Sequence, residues 1–398
     1  IGCDEQMWDW EGKFADEAMI ERLLSAYTAA FRKKQLGRDN FVTLRIPNIW
    51  EEKTFKLARS YMSVLSAAEF VRSLKLHAPP VFELILPMTK KAEQLLHIQQ
   101  TFQKTAQLHQ SIFGHSDFGQ GYIHIIPIFE SVEDLSGCAE ILTEYLQLHK
   151  EHFGFYPPWM RVFIARSDPA LNAGFVSAVL GTRLALREVH RVSKQFGVPM
   201  YPIIGTGSLP FRGGINPENI ERSLPQYQGA ATVTIQSAFR YDYPLKEVKK
   251  ALSYIKKHLK KPVPLIFPQK EFDALQTLIS VFKNFYNPTV ESCAPLINQM
   301  AAQMPSRRER VQHTGLFGYN RAVGKMRLPR AINFTGALYS LGIPPEFIGT
   351  GRGLAEARKH GFLPLIEKHF TSLRSELKHA GKFLNRENLQ RFALEHPW

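Results

Sequence analysis

Cysteine is scarce in this sequence, and its three residues among 398 form neither a CxxC pair nor a spacing typical of metal ligands. A disulfide framework and a structural zinc site are therefore excluded as the basis of the fold, and such sparse thiols are typical of a reducing cytoplasm. No apolar run approaches the roughly 20 residues that span a bilayer, and no signal-peptide pattern is present. The sequence predicts a cytoplasmic protein with no membrane partner.

Signatures of nucleotide and nucleic-acid binding are also missing. The glycine-rich stretch GTGSLPFRGG at 205–214 matches neither the Walker pattern nor GxGxxG, although its glycines would let backbone N–H groups approach an anion. The net charge of +14, from 50 basic and 36 acidic residues, favours an anionic partner. Because no nucleic-acid-binding module accompanies the basic residues, we expect a small phosphorylated or carboxylated substrate and no nucleic acid.

Short apolar runs alternate with amphipathic helical patterns along the chain. They begin at residues 3, 40, 80, 122, 160, 199 and 230, and an eighth run, TGLFGYNR, begins at 314. Strands that alternate with helices pair in parallel, and eight such units close a (β/α)8 barrel. We therefore predict an α/β fold with one TIM-like barrel domain over 1–398, in which 353–398 is an outer helical extension. A doubly wound open sheet is the alternative, because the first and eighth runs are the weakest strand patterns.

The carboxyl ends of the predicted strands carry mainly acids and arginines, with few histidines or thiols. In a barrel, these ends hold the chemistry. This composition suits a hard divalent cation with oxygen ligands beside an anionic substrate. The set consists of Asp9, Glu11, Arg45, Glu130, Arg166, Asp168, Arg212, Gln236, Arg240 and Arg321.

Glu130 and Asp168 follow consecutive strands, so we expect their side chains to be neighbours. Two carboxylates, completed by substrate oxygens and water, are what Mg²⁺ or Mn²⁺ accepts. The alternative is a structural salt bridge of either acid to Arg166. His124 shares the strand face of Glu130 but lies about 20 Å further down the strand, so we predict packing for it and no general-base role.

A basic stretch without acids, RVQHTGLFGYNRAVGKMRLPRAI, occupies 310–332. Arginine binds phosphate and carboxylate through two parallel N–H donors, and such a patch is where binding arginines are expected. Arg321 and Arg330 are the candidates that this stretch supplies.

Several blocks of the sequence resemble the archaeal-type phosphoenolpyruvate carboxylases, and the resemblance extends from about Gly2 to Gly349. The blocks are GCDEQMWDWEGK, VFELILPM, RVFIARSDPALN, PIIGTGSLPFRGGINPENI, TIQSAFRYDYP and GLFGYNR. The resemblance implies a cytoplasmic, homotetrameric lyase with a Mg²⁺ or Mn²⁺ cofactor. Its reaction joins phosphoenolpyruvate and bicarbonate to give oxaloacetate and phosphate, through carboxyphosphate and the enolate of pyruvate.

The resemblance also implies roles for individual residues. IIPIFESVEDL and ARSDPALNAG resemble the segments that carry the metal ligands, here Glu130 and Asp168. GYNRA and LPRAI resemble segments whose arginines, here Arg321 and Arg330, act on phosphoenolpyruvate, and Arg45 matches a catalytic arginine at a strand end. We assign the surrounding substrate contacts to Arg166, Arg212, Gln236 and Arg240.

The family also has an N-terminal segment with a His-Pro pair, whose histidine acts in catalysis and which would precede Ile1. We therefore expect a protein limited to Ile1–Trp398 to be nearly inactive while it still binds metal and phosphoenolpyruvate.

Two other functions are compatible with the sequence. One is a different metal-enolate lyase of the phosphoenolpyruvate/pyruvate barrel type, which cleaves a carbon–carbon bond; bicarbonate-dependent phosphate release would distinguish the two. The other is a non-catalytic basic protein that binds nucleic acid, which steep salt-dependent retention on DNA or RNA would support.

Overall fold

The computed structural model describes residues 2–10, 17–51, 56–114, 121–260, 262–304 and 322–396. Seven parallel strands form one sheet in the order of the chain. They are β1 (Glu5–Asp9), β2 (Phe41–Arg45), β3 (Glu83–Leu86), β4 (His124–Phe129), β5 (Met160–Ala165), β6 (Met200–Gly205) and β7 (Thr232–Val233). The first seven predicted strands are thereby confirmed. A doubly wound sheet would reverse its strand order at a switch point, and this sheet does not.

Helices cover the sheet and continue beyond it. They are α1 (Met19–Ala26), α2 (Thr28–Lys33), α3 (Lys56–Ser73), α4 (Ala92–Phe113), α5 (Val132–Phe153), α6 (Ser167–Ala173), α7 (Phe175–Phe196), α8 (Ile220–Ser223), α9 (Ser237–Tyr241), α10 (Leu245–Leu259), α11 (Gln269–Ala302), α12 (Ala331–Ser340), α13 (Thr350–Lys359), α14 (Leu363–His369), α15 (Leu373–Gly381) and α16 (Arg386–Glu395). Short 3-10 helices lie at Pro210–Arg212, Leu224–Tyr227 and Pro345–Phe347.

The start of α5 shows how local sequence sets an element boundary beside the site. Ser131 caps the helix, because its Oγ accepts a hydrogen bond from the backbone N–H of Asp134 at 3.1 Å. Glu133 and Asp134 add negative charge to the first turn, where the helix dipole favours it. The helix ends at Gly154, whose φ of +83° suits glycine. The strand before the cap therefore ends abruptly, and Glu130 lies in the short connection.

Two apolar layers are separated by the sheet, because successive side chains of a strand point to opposite faces. The inner face carries a small buried cluster that consists of Ile85, Ile126, Ile128, Phe163, Ala165 and Ile203, with Met7 packed against it. The packing is tight: a Cβ at Gly205 would lie 2.4 Å from Cε1 of Phe163. The outer face packs on the helices and contributes to the main core.

Below the inner apolar layer, at the amino ends of the strands, the inward-facing side chains are polar. Arg161 on β5 donates from Nη1 to Glu83 on β3 at 2.9 Å, and Thr43 on β2 contacts Glu5 on β1. His124 begins β4, and its ring stacks on Trp159 with centroids 4.2 Å apart. This confirms that His124 packs at the end of the sheet opposite to Glu130.

The predicted eighth strand, from residue 314, lies outside the described residues. The chain is described again from Ala322, where a small antiparallel hairpin pairs Ala322–Val323 (β8) with Met326–Arg327 (β9). In the helical tail, Phe370 packs against Phe175 of α7 with ring centroids 5.1 Å apart, and α15 contacts the 3-10 helix Pro210–Arg212. Within the described ranges, no helix is long and apolar enough to cross a bilayer.

Candidate active site

Arg45 ends β2 beside Asp9, which ends β1, as the strand register requires. The guanidinium donates from Nε to Oδ1 of Asp9 at 2.8 Å and from Nη2 to Oδ2 at 2.7 Å. Both side chains are mostly buried, with 16% of Arg45 and 14% of Asp9 exposed. A two-point pair of this kind fixes the plane of the guanidinium, so Asp9 orients the predicted catalytic arginine.

Glu130 lies directly after β4 and is only 9% exposed. Its Oε2 accepts a hydrogen bond from the backbone N–H of Met88 at 2.8 Å. Met88 has a φ of +50°, a conformation that is uncommon for a residue with a side chain and costs free energy. The strained loop after β3 therefore holds one oxygen of the first predicted metal ligand.

A buried asparagine that the sequence did not single out supports this loop. Asn48 is 1% exposed, and its Nδ2 donates to the carbonyl of Pro87 at 2.8 Å. Its Oδ1 accepts from the backbone N–H of Trp50 at 3.0 Å. Because Pro87 precedes Met88, Asn48 fixes the backbone that contacts Glu130. No short motif marks such a residue in the sequence.

Asp168 lies in the first turn of α6, which starts where β5 ends. β4 and β5 are hydrogen-bonded neighbours, so the structure places both predicted metal ligands at the carboxyl ends of adjacent strands. Among the described residues, no group of three or more His, Cys, Asp or Glu side chains is arranged to hold a metal ion. Two carboxylates at adjacent strand ends are of the donor type that Mg²⁺ uses together with substrate oxygens and water, and their role as metal ligands stays a prediction.

The glycine-rich loop after β6 folds back on itself. The N–H of Gly207 donates to the carbonyl of Arg212 at 2.7 Å, and the N–H of Ile215 donates to the carbonyl of Gly207 at 3.0 Å. Gly213 has a φ of +118°, which an L side chain would rarely adopt. Closure of this turn places Arg212 at its outer edge.

Arg212 connects the loop to the carboxyl ends of β5 and β7. Its Nη2 donates to Oε1 of Gln236 at 2.9 Å, and its Nε donates to Oγ of Ser167 at 3.3 Å. Ser167 is adjacent in sequence to Asp168. The structure therefore brings two predicted substrate-binding residues, Arg212 and Gln236, next to the segment of the second predicted metal ligand.

Arg166 lies behind the glycine-rich loop and is 1% exposed. Its Nε donates to the hydroxyl of Tyr227 at 3.4 Å, and that hydroxyl donates to the carbonyl of Gly213 at 2.6 Å. This position explains why the end of β5 carries an arginine two residues before an acid: the arginine side chain supports the loop from inside the protein. Direct contact of Arg166 with substrate stays a prediction.

Two of the other three predicted arginines lie within the described residues. Arg240 is exposed on α9, with its guanidinium 5.0 Å from the ring centroid of Tyr241. Arg330 is the N-cap residue of α12 and is partly buried. Arg321 lies outside the described residues. The structure therefore does not test whether these three converge with Arg212.

Histidine 124 is unsuited to proton transfer at this site. Burial, together with the neighbouring His149, lowers the pKa of His124 to about 4. Its ring lies at the amino end of β4, six residues before Glu130. Both observations agree with the packing role predicted from the sequence.

Two buried acids behind the glycine-rich loop were missed by sequence reasoning. Glu346, in the 3-10 helix Pro345–Phe347, is fully buried, and Glu376 on α15 is 6% exposed. Burial raises the pKa of each carboxyl to about 7. Nothing in the sequence singled out either acid, and the backbone partner of Glu346, Phe211, lies 135 residues away.

Together, the sheet and its carboxyl edge define an α/β protein of the singly wound, barrel-related class, with acids and arginines where such proteins bind anionic substrates. Comparison with known families then gives the specific assignment. A family model described as phosphoenolpyruvate carboxylase matches residues 1–396, and the chain belongs to that family.

Curated relatives of the chain carry the same description. The chain is similar to a phosphoenolpyruvate carboxylase of Leuconostoc mesenteroides, with 42% identity over 393 residues that cover 98% of this chain and 77% of the relative. The corresponding protein of Oenococcus oeni is 40% identical over 397 residues, which cover 100% of this chain and 78% of the relative. An archaeal protein of the same description, from Metallosphaera sedula, is 38% identical over 98% of this chain and 77% of its own length. The resemblance to archaeal-type enzymes is confirmed.

Proposed function

We propose that this chain carboxylates phosphoenolpyruvate with bicarbonate to give oxaloacetate and phosphate. The observation that carries the proposal is that Arg212 contacts both Gln236 and Ser167, next to Asp168. The chain also matches the family model over residues 1–396. Substrates and product are all anions, in agreement with the net charge of +14.

Glu130 and Asp168 are the proposed ligands of a divalent cation, Mg²⁺ or Mn²⁺. The donor set fits such an ion, because both groups are carboxylates on adjacent strand ends and Mg²⁺ usually takes one or two protein carboxylates. When bound, the cation supplies Lewis-acid stabilisation of negative charge on oxygen. The hydrogen bond from the backbone N–H of Met88 holds Oε2 of Glu130 at the carboxyl end of β4.

Arginines carry the electrostatic part of the proposed mechanism. An oxygen of bicarbonate attacks phosphorus, the bond between phosphorus and the enol oxygen breaks, and its electrons remain on the enolate of pyruvate. Carboxyphosphate then divides into carbon dioxide and phosphate, and the enolate carbon adds to carbon dioxide to form oxaloacetate. Guanidinium groups stabilise the charge that moves over phosphate and enolate oxygens. We assign this role to Arg45, Arg321 and Arg330, with contributions from Arg166, Arg212, Gln236 and Arg240 to substrate binding.

The closed (β/α)8 barrel also belongs to the proposal. Seven parallel strands in sequential order support it, as does the small inner cluster that includes Phe163 and Ile203. We propose that the run from residue 314 supplies the eighth strand between β7 and β1. The family resemblance implies a homotetramer located in the cytoplasm. Mass photometry at nanomolar to micromolar concentration measures the oligomeric state.

A coupled assay tests the activity. Oxaloacetate is reduced by malate dehydrogenase, and NADH loss is followed with phosphoenolpyruvate, bicarbonate and Mg²⁺ present. In a protein that also carries the N-terminal His-Pro segment implied by the family resemblance, the proposal predicts turnover that requires all three and releases phosphate in equal amount to oxaloacetate. Phosphate-free cleavage of a carbon–carbon bond would instead indicate the related lyase chemistry. Salt-sensitive retention on DNA without turnover would indicate a nucleic-acid-binding protein.

A further inference from the structure

Glu346 is a fully buried acid whose role is not explained by core packing. Its Oε1 accepts two hydrogen bonds, one from the backbone N–H of Phe211 at 2.8 Å and one from the hydroxyl of Tyr339 at 2.9 Å. Phe211 lies 135 residues earlier, within the glycine-rich loop. Glutamate is rarely buried to this extent without a specific partner, because ionised groups lose hydration in the interior.

The contact with Phe211 completes the hydrogen bonding of the turn that presents Arg212. Within this turn the N–H groups of Arg212 and Gly214 both donate to the carbonyl of Leu209 at 2.9 Å. The N–H of Phe211 points away from these acceptors and donates to Glu346. The Phe211 ring is also fully buried and stacks on Phe334 with centroids 5.7 Å apart. Phe211, which immediately precedes Arg212, is thus anchored through both its backbone N–H and its side chain.

A second set of contacts holds the other side of Arg212. Tyr227 donates its hydroxyl to the carbonyl of Gly213 at 2.6 Å and receives a hydrogen bond from Arg166. Glu376 on α15 lies behind the next residue, since a Cβ at Gly214 would be 3.6 Å from its Oε1. Arg212 is therefore the partly exposed residue of a turn whose neighbouring residues, Phe211 and Gly213, are buried and held from behind.

We propose that Glu346 is a positioning residue for Arg212. It fixes the backbone at Phe211 so that the guanidinium reaches Ser167 and Gln236 at the carboxyl ends of β5 and β7. This inference rests on the proposed role of Arg212 in binding phosphoenolpyruvate. The segment after α12 therefore contributes to the site, although this segment is remote in sequence from the other site residues.

Substitutions of Glu346 can separate its role as a hydrogen-bond acceptor from its charge. Because burial raises the pKa of Glu346 to about 7, its carboxyl is partly uncharged near neutral pH. Glu346→Gln keeps an oxygen acceptor for Phe211 without a charge, whereas Glu346→Ala removes the acceptor. Glu346→Asp keeps the acid but shortens the side chain by one methylene, so its oxygen no longer reaches the Phe211 N–H. Tyr339→Phe is the matched control, because it removes the other hydrogen bond of Glu346 and leaves the bond to Phe211.

The experiment compares the full chain with these four variants by steady-state kinetics and by titration calorimetry with phosphoenolpyruvate. Glu346→Ala and Glu346→Asp are expected to raise KM and Kd for phosphoenolpyruvate by about tenfold or more, since small displacements of a binding group have large effects. Glu346→Gln and Tyr339→Phe should stay within about threefold of the unmodified protein. In an Arg212→Ala background, the effect of Glu346→Asp should disappear, because both changes act through the same guanidinium.

The measurements distinguish failure of the positioning role of Glu346 from failure of the proposed function. If the unmodified chain neither turns over nor binds phosphoenolpyruvate, the proposed function fails and the positioning role fails with it. If the unmodified chain binds phosphoenolpyruvate and Glu346→Asp binds it equally well, only the positioning role is overturned. Should Glu346→Ala not fold, the Asp and Gln pair decides the question, because an equal KM for those two variants contradicts the inference.

Discussion

Arg161 on β5 forms a two-point ion pair with Glu5 on β1, with Nη1 to Oε1 at 3.0 Å and Nη2 to Oε2 at 2.8 Å. These strands are four positions apart in the sheet order. In a flat sheet, four strand spacings would separate them by about 19 Å, which no arginine side chain spans. The pair therefore requires a strongly curved sheet, and it supports the proposed barrel.

Replacement of this arginine should be costly for stability. Arg161→Met leaves Glu5 and Glu83 buried without their cation, and breaking one side of a buried ion pair costs roughly 3–5 kcal/mol. We expect a loss of that size in the free energy of unfolding, measured by urea denaturation. The triple variant with Glu5→Gln and Glu83→Gln should recover part of the loss. Equal stability of Arg161→Met and the unmodified protein would show that the triad contributes nothing to the free energy of unfolding.

Loss of either proposed metal ligand should abolish metal-dependent turnover while the fold persists. Glu130→Gln and Asp168→Asn each remove one of the two charges that attract the cation. Binding of Mn²⁺ in the absence of substrate, followed by electron paramagnetic resonance, measures the loss directly. Glu133→Gln is the matched control, since Glu133 is 61% exposed and pairs with Lys283 on the outer surface. A Glu130 or Asp168 variant with normal Mn²⁺ affinity would remove the metal assignment.

Asn48 should influence metal binding without touching the metal. Asn48→Asp has the same shape but cannot donate to the carbonyl of Pro87, so the Met88 N–H should shift away from Glu130. Groups that orient a ligand typically change metal affinity by about 10–100-fold when replaced. We expect a weaker Mn²⁺ affinity in that range. A lower melting temperature with unchanged Mn²⁺ affinity would give Asn48 a structural role alone.

The arginines of the basic stretch are expected to act on substrate. Arg330→Ala and Arg321→Ala each remove a charge-assisted hydrogen bond worth roughly 1.5–3 kcal/mol, so kcat/KM for phosphoenolpyruvate should fall at least about tenfold. Arg327→Ala provides the control, because Arg327 lies exposed on β9. If Arg330→Ala changes only the melting temperature, its place at the start of α12 is structural.

The buried acid on α15 should make stability depend on pH. Burial and the neighbouring Glu346 raise the pKa of Glu376 from 4.5 to about 7, against the opposing effects of Ser372 and Arg166. The stability that comes from the protonated carboxyl is fully present below pH 4.5 and is lost as pH rises through 7. The loss amounts to about 3 kcal/mol at most. Glu376→Gln should therefore raise the melting temperature relative to the unmodified protein at pH 8 and not at pH 4.5. A difference that does not vary with pH would contradict this assignment.

Strand positions could be predicted from the sequence because each buried parallel strand is a short apolar run between helical patterns. β4, β5 and β6 begin within two residues of the predicted runs at 122, 160 and 199. β1 and the two-residue β7 were also found, as the apolar runs that begin at 3 and 230. The hairpin of β8 and β9 was not predicted, since two-residue strands carry no periodicity.

Side-chain direction was harder to predict than strand position. Arg166 and Asp168 are two residues apart, yet one supports the glycine-rich loop from inside and the other lies in the first turn of α6. The helix that begins at Ser167 separates their directions, and sequence spacing alone does not give that geometry. Glu346 and Asn48 were missed because each contacts the site through a backbone group, Phe211 N–H and the Pro87 carbonyl respectively, which leaves no trace in residue type.

The apolar cluster inside the sheet and the ionic layer around Arg161 beneath it also determine how molecules move to and from the site. In the described part of the protein, these side chains form packed layers beneath the carboxyl ends of the strands. Within these described ranges, the inside of the sheet is filled below the site, so exchange with solvent takes place on the side of the carboxyl ends. In the proposed reaction, carbon dioxide and oxaloacetate both leave on that side, so the escape of carbon dioxide competes directly with its capture by the enolate.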